Sequence, residues 1–376
     1  MPMPDRRYYA IDHLRTCMMF VVMFGHPMLP YVTVPRSFKD VTTHIGFDIA
    51  AVFLYAFAMQ AFFVTAGFAA ALLFEKKGMS GLWHNRLNRI LVPLLVAYVL
   101  LTPLIRGAYD FAKAVVEFDS LSAGFGVFLA GDWLRWSKLY HLWFLLSLLL
   151  FTGLTLLGLL VLRRYDFSDR LTQWVAKTLI RPSGFWLLLI LFSLTTVPSY
   201  IFETGSGTHW SMQLTLLGYF MLGWFLYQRQ DVITYWQTCY KAALIMALAV
   251  MPICVWSSRV RWFAEHDSDF IMGAIAGVTN GALGIAMTVA LVGLFHLHMD
   301  KPTRSGKLFG QASYWVYLIH FPIVVAAGGV VAVLDAPALM KYAGTLAIAI
   351  PLITLSYYGL VLRTPLKYVI VGKTRD

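Results

Sequence analysis

The sequence predicts an all-α fold: a polytopic membrane helical bundle of about ten transmembrane helices. Three observations predict it. Of the 376 residues, 59% are hydrophobic and 13% charged, with a mean hydropathy of +0.68; soluble domains carry about 25% charged residues. Apolar runs long enough to cross a bilayer recur along the chain. None of them alternates with a period of two, which excludes a transmembrane β-barrel. The runs leave no room for a separate soluble domain, so residues 1–376 are expected to form one integral-membrane domain.

A spanning helix needs roughly 20 mostly apolar residues. Ten candidates qualify, near 12–34, 49–74, 90–106, 140–162, 185–203, 212–228, 240–257, 271–297, 313–334 and 342–363. The sixth and seventh are short or polar at their ends. Arg6 and Arg7 precede the first run as in a signal peptide, but no small-residue cleavage site follows, so an uncleaved first span is expected. Ten spans put both termini on one side. That side holds roughly two-thirds of the 30 lysines and arginines, so the positive-inside rule places both termini in the cytoplasm.

Topology therefore explains most of the net charge of +11, which is not a nucleic-acid signature. A docking surface for a polyanionic cytoplasmic ligand is the sharper reading of the same charge. The longest outer loop is expected over about 107–139, with Asp110, Asp119, Asp132, Trp133 and Trp136. Aromatics beside carboxylates suit sugar faces, and they equally suit an interfacial belt. Cys17, Cys239 and Cys254 are odd in number and lack paired spacing, so neither a disulfide framework nor a zinc knuckle follows.

The first span carries the chemistry. In "IDHLRTCMMFVVMFGHP" (Ile11 to Pro27), Arg15 and His26 are eleven positions apart. At about 100° per residue that is three turns plus roughly 20°, so both face one way, roughly 16 Å apart along the axis. Arg15 lies early enough to snorkel and to pair with Asp12 at i,i+3. His26 lies deeper, between Gly25 and Pro27, where a helix can bend. It is either a hydrogen-bonded packing histidine or a general base, since imidazole can both take and give a proton. A long ligand with an anionic end and a reactive end suits this spacing. An acyl thioester of coenzyme A has that form.

Other polar positions divide similarly. Arg86 and Arg89 stand i,i+3 where the third span is expected to start, either as topology anchors or as anion ligands. His141 lies at the outer end of the fourth span, over an acceptor entry or as an interface cap. Gln60 and Asn280 are mid-span amides of the kind that join helices. "GAIAGVTNGALG" (Gly273–Gly284) reads as a small-residue packing face. His296 and His298 diverge on a helix and show no third ligand nearby, so no metal is expected. Glu203 and His209 flank a Gly-rich outer loop and are candidates to touch the acceptor.

Four segments resemble the membrane-bound acyltransferase family 3. They are Arg15 with His26, matching an R-x10-H motif; "MQAFFVTAGF" (Met59–Phe68); "RLNRILVP" (Arg86–Pro93); and "ASYWVYLIHFPIV" (Ala312–Val324 and its Tyr-Leu-x-His-x-Pro core). "KLYHLWFLLSLLLF" (Lys138–Phe151) resembles the branch implicated in succinylating periplasmic glucans. The resemblance implies a multi-pass protein of the bacterial inner membrane. It implies transfer of an acyl group, succinyl or acetyl, from cytoplasmic acyl-CoA to a hydroxyl of an extracytoplasmic carbohydrate. His26 carries over as the catalytic histidine and Arg15 as its motif partner. Arg86 and Arg89 carry over as candidates to bind the donor's phosphates, with Arg15 expected to hold the donor along the first span. His141, Trp143, His320 and Glu203 are the candidates for the acceptor side. Lipopolysaccharide, peptidoglycan or a lipid-linked sugar are alternative acceptors. A secondary transporter is the competing class, but no inverted halves or mid-span carboxylate support it.

Overall fold

The computed structural model describes residues 7–35, 38–136, 138–162, 168–202, 209–263 and 270–364. Among these residues there is no strand. Twelve α-helices follow one another: α1 (Tyr9–Gly25), α2 (Ile45–Arg86), α3 (Val92–Phe118), α4 (Leu121–Ala130), α5 (Trp143–Leu162), α6 (Ser168–Leu179), α7 (Pro182–Ile201), α8 (Trp210–Gln228), α9 (Gln230–Phe263), α10 (Phe270–His298), α11 (Arg304–Ala332) and α12 (Ala338–Ser356). Among the described residues, seven helical runs are long and apolar enough to cross a membrane. One of them, Ile45–Phe118, holds two of the expected spans. The first and sixth expected spans fall on the 17-residue α1 and on α8, which are not among the seven.

Three expectations change. The outer loop expected over 107–139 is largely helical. α3 continues to Phe118, and Asp119 ends it in the left-handed region at φ 47°. α4 then folds back onto α3, its Gly124 against the Phe111 and Val115 side chains. Trp133 stacks on Phe128, with centroids 4.9 Å apart, and its indole N–H donates to the Phe128 carbonyl. Asp110 pairs with Arg106 at 3.6 Å. The carboxylates and aromatics of this stretch are thus partly spent on local structure.

Arg86 and Arg89 do not open a helix. Arg86 closes α2, and a π-turn (Leu87–Leu91) holding Arg89 leads directly into α3. Chain direction breaks earlier, at Gly78, whose φ of 66° is open to glycine and strained for other residues. The third change concerns the first span. Its α-helix stops at Gly25, and His26 begins a 3-10 turn (His26–Tyr31). Pro27 has no N–H to return to the helix, and Pro30 repeats the block.

The chain forms two compact units. The first comprises Met1–Met18, Val52–Arg86 and Ser147–Gly306. Its helices touch backbone to backbone. A Cβ on Gly67 would overlap the Phe220 carbonyl, and a Cβ on Gly223 would overlap the Val64 carbonyl. α2 and α8 therefore cross at a reciprocal pair of glycines. Gly273, Gly277 and Gly281 of α10 lie against Tyr200, Val197 and Phe192 of α7. This is the packing face expected from the sequence, and small residues serve it because they let backbones approach. Asn280 donates to Ser258 Oγ and to the Ala276 carbonyl, both at 2.8 Å, which joins α10 to α9. The apolar window of α10 is 78% buried, whereas that of α9 is 17% buried. α9 exposes Ile245, Leu248, Ile253 and Trp256, a face suited to lipid.

The same unit explains the start of the chain. Ala10 N–H donates to Asp300 Oδ1 at 3.1 Å, which satisfies one orphan donor of α1. His13 lies 2.8 Å from the Met299 carbonyl and 3.1 Å from Thr303 Oγ1, and Thr303 Oγ1 accepts the Gly306 N–H at 3.0 Å. Asp12 pairs with Arg15 at 3.5 Å, the i,i+3 contact expected, and with Arg7 at 3.1 Å.

The second unit comprises Met19–Ala51, Leu87–Leu146 and Lys307–Asp376. One core gathers Phe38 with Ile105, Phe111 and Val115 of α3 and Phe321 and Val325 of α11. Another joins Met23 of α1, Val316 and Val324 of α11, and Ala349 and Ile353 of α12. Between the helices lies an ion pair that the sequence pattern did not disclose. Lys341 Nζ meets Asp40 Oδ1 at 2.9 Å with both side chains 1% exposed. Lys341 also donates to the Ala332 carbonyl at the end of α11, and Asp40 accepts Thr42 N–H and Thr42 Oγ1–H. Tyr31 Oη lies 3.3 Å from Thr345 Oγ1, which ties the 3-10 turn to α12.

Candidate active site

Three histidines far apart in sequence meet in the second unit. His26 opens the 3-10 turn after α1, His141 sits in a second 3-10 turn (Tyr140–Leu142) before α5, and His320 lies inside α11. His26 Nδ1 is 2.9 Å from His320 Nε2. The His141 and His320 rings are 5.3 Å apart between centroids, nearly perpendicular.

Phe321 is the wall they share. His141 stacks on it at 5.0 Å, and His26 meets it edge-on at 4.7 Å. Phe321 is itself anchored in the core with Phe111 and Ile105. His320 is fully buried and His141 nearly so, while His26 is half-buried. A reactive group needs this balance: rings fixed by packing, with the outermost still reachable.

The local sequence explains the placement. In "LIHFP", Pro322 has no N–H for the carbonyl of Leu318, four residues earlier. That carbonyl instead lies 3.2 Å from His141 Nε2. Tyr317 Oη donates to the His141 carbonyl at 2.7 Å, so α11 holds the second turn from both sides. Tyr140, beside it, takes φ 46°, an uncommon conformation for a non-glycine residue. His320 Nδ1 lies 3.0 Å and 2.8 Å from the carbonyl oxygens of Val316 and Tyr317.

The other predicted residues are placed as follows. Trp143 opens α5 two residues after His141, its ring edge-on to Phe144. Arg15 and Arg86 belong to the first unit. Arg86 Nε is buried without a hydrogen-bond partner among the described residues. Arg89 is exposed, and its carbonyl accepts the Tyr314 hydroxyl at 3.1 Å. Glu203 lies outside the described residues. His209 is 2.7 Å from Ser211 Oγ at the start of α8. Among the described residues, no group of three or more His, Cys, Asp or Glu is arranged to hold a metal ion. Sequence reasoning named all three histidines but did not pair them. It missed Phe321, whose signal was its position between His320 and Pro322.

An imidazole pair with one ring buried and one half-buried, inside a multi-pass helical bundle, suits acyl or proton transfer. The chain belongs to the acyltransferase family whose model, described as "Acyltransferase domain", matches residues 8–359. It is a multi-pass membrane O-acyltransferase. Among its relatives are proteins named Glucans biosynthesis protein C. Those of Salmonella paratyphi B and Salmonella dublin are 26% identical over 337 residues, 86% of this chain and 84% of theirs. That of Salmonella gallinarum is 26% identical over 339 residues, with the same coverage. No solved structure matches the chain.

Proposed function

We propose that the protein moves an acyl group, succinyl or acetyl, from a cytoplasmic acyl-CoA to a hydroxyl of an extracytoplasmic glucan, with His26 as the reacting histidine. The observation that carries this is the His26–His320 contact at 2.9 Å, which holds a half-buried imidazole in one orientation. The name of the relatives supports a glucan acceptor. The protein then resides in the bacterial inner membrane with both termini in the cytoplasm, as the charge asymmetry of the loops supports.

The reaction is an acyl transfer between oxygen and sulfur. His26 takes the proton of the acceptor hydroxyl as its oxygen attacks the thioester carbonyl. The carbon–sulfur bond breaks, and His26 returns the proton to the departing thiolate. In the two-step form the imidazole nitrogen attacks first, releases the thiol and then yields the acyl group to the hydroxyl. Apolar walls such as Phe321 exclude water, which protects the thioester from hydrolysis.

The donor's phosphates have their own candidates. Arg86 carries a buried N–H without a partner among the described residues. Guanidinium forks fit phosphate oxygens. Arg89 is exposed on the π-turn that follows.

The test is His26→Ala at matched protein abundance, with acylation of periplasmic glucans read by mass spectrometry. Loss of the acyl mass on glucans is expected. Unchanged acylation would remove His26 from the reaction, and an acyl mass lost from another polysaccharide instead would replace the glucan.

A further inference from the structure

We propose that His320 is a positioning residue. It fixes the tautomer of His26 so that Nε2, not Nδ1, is the nitrogen that meets the substrate. The inference rests on the reading of His26 as the reacting histidine and goes beyond it to the atom and to the group that selects it.

The argument follows the protons. Carbonyl oxygens only accept hydrogen bonds. His320 Nδ1 faces two of them, Val316 O and Tyr317 O, at 3.0 Å and 2.8 Å. Nδ1 therefore carries the N–H. In neutral imidazole the other nitrogen is then an acceptor. That acceptor, His320 Nε2, lies 2.9 Å from His26 Nδ1. His26 must donate from Nδ1, and its lone pair is left on Nε2. The opposite assignment would aim a lone pair of His320 at two carbonyl oxygens.

A third imidazole could disturb this arrangement. The His141 ring is 5.3 Å from His320 and has an N–H of its own. That N–H is taken. His141 Nε2 faces the Leu318 carbonyl, which the missing N–H of Pro322 leaves open. His141 Nδ1 is consequently an acceptor, and it is buried without a hydrogen-bond partner among the described residues. The lone pair of His320 is thus kept for His26. When His26 takes a proton at Nε2, its Nδ1–H remains bonded to His320, which stabilises the imidazolium. A buried chain from backbone carbonyl to His320 to His26 orients the base as a carboxylate orients the histidine of a hydrolase triad.

Two measurements test this. The first reads tautomers without any substrate. In full-length protein labelled with ¹⁵N-histidine and reconstituted in bilayers, the His26 resonances, assigned by their loss in His26→Ala, should show N–H at Nδ1 and a lone pair at Nε2. The reverse tautomer overturns the proposal while leaving His26 free to act in the reaction. The second compares His320→Ala with His320→Gln, whose side-chain oxygen can still accept from His26, using succinyl-CoA and linear glucan oligosaccharides. Loss of general-base alignment predicts a fall in kcat of ~10²-fold for His320→Ala, with KM within about two-fold and substantial recovery in His320→Gln. Equal losses in both variants, or no loss in either, overturn the positioning role. If His26→Ala retains full transfer, the reading of His26 fails instead, whatever the tautomer spectrum shows.

Discussion

The two units differ in what stands at their central helix contacts. In the first, the closest contacts are made by removing side chains, with polar bonds such as Asn280 to Ser258 beside them. Gly67 and Gly223 let α2 and α8 touch through their backbones, and Gly273, Gly277 and Gly281 do the same for α10 and α7. In the second, contact is made by polar groups that satisfy one another: Lys341 with Asp40, Tyr317 with the His141 carbonyl, and His26 with His320. In a bilayer, hydrophobicity alone does not hold helices together, so shape and polar bonds must. The difference teaches where chemistry can be placed. A contact between glycine faces leaves no room for a reactive group, whereas helices joined by polar bonds can orient one.

The largest effect expected from breaking this comparison lies at His26. His26→Ala should lower transfer by ~10²–10⁴-fold, about 2.7–5.5 kcal/mol of barrier, without lowering the amount of folded protein. Single-turnover assays beside size-exclusion profiles separate the two outcomes.

Lys341 comes next. Lys341→Ala leaves the buried Asp40 carboxylate without its counter-ion, which should cost about 3–5 kcal/mol of stability. Replacing both partners, Asp40→Leu with Lys341→Met, should recover most of it, because the desolvation of both charges disappears. Unfolding in a detergent titration reads this directly. A double variant as unstable as the single one would show that the pair does more than neutralise itself.

In the glycine unit, Gly223→Ala should cost about 1–3 kcal/mol by overpacking, or more if the Val64 carbonyl cannot move. Activity per folded molecule should remain near wild type. Thermal inactivation at matched activity checks the split. A drop in kcat without loss of stability would erase the distinction between the units.

Pro322→Ala is subtler. It returns an N–H to the Leu318 carbonyl, which would then compete with His141 for it. One hydrogen bond's worth of anchoring, about 1 kcal/mol, is at stake. Histidine NMR would show the His141 resonance broaden or change tautomer. Smallest of all, Asp12→Asn removes a surface pair whose side chains are about a third exposed, and should change stability by about 0–1 kcal/mol.

Much of this was visible in the chain before folding. Long apolar runs dictate helices in lipid, because every backbone polar group must be satisfied within the segment. The Gly25-His26-Pro27 triplet marks where α1 stops, and Pro27 supplies the reason. The small-residue stripe of α10 announces its packing face. The loop expected over 107–139 was misread because Asp and Trp signal a turn or an interface equally well. There α3 continues to Phe118, and α4 packs back upon it. The supposed helix start at Arg86 was misread because a π-turn carries the helix onward without any composition signal.

The sequence by itself determined the helices, their apolar faces and the candidate histidines, since these follow from local composition and period. Only the tertiary structure decided which polar groups meet. His26 and His320 lie 294 positions apart, and Asp40 and Lys341 lie 301 apart. No local rule links residues at that separation. Their pairing follows from helix packing, and from the cost of burying any of these groups without a partner.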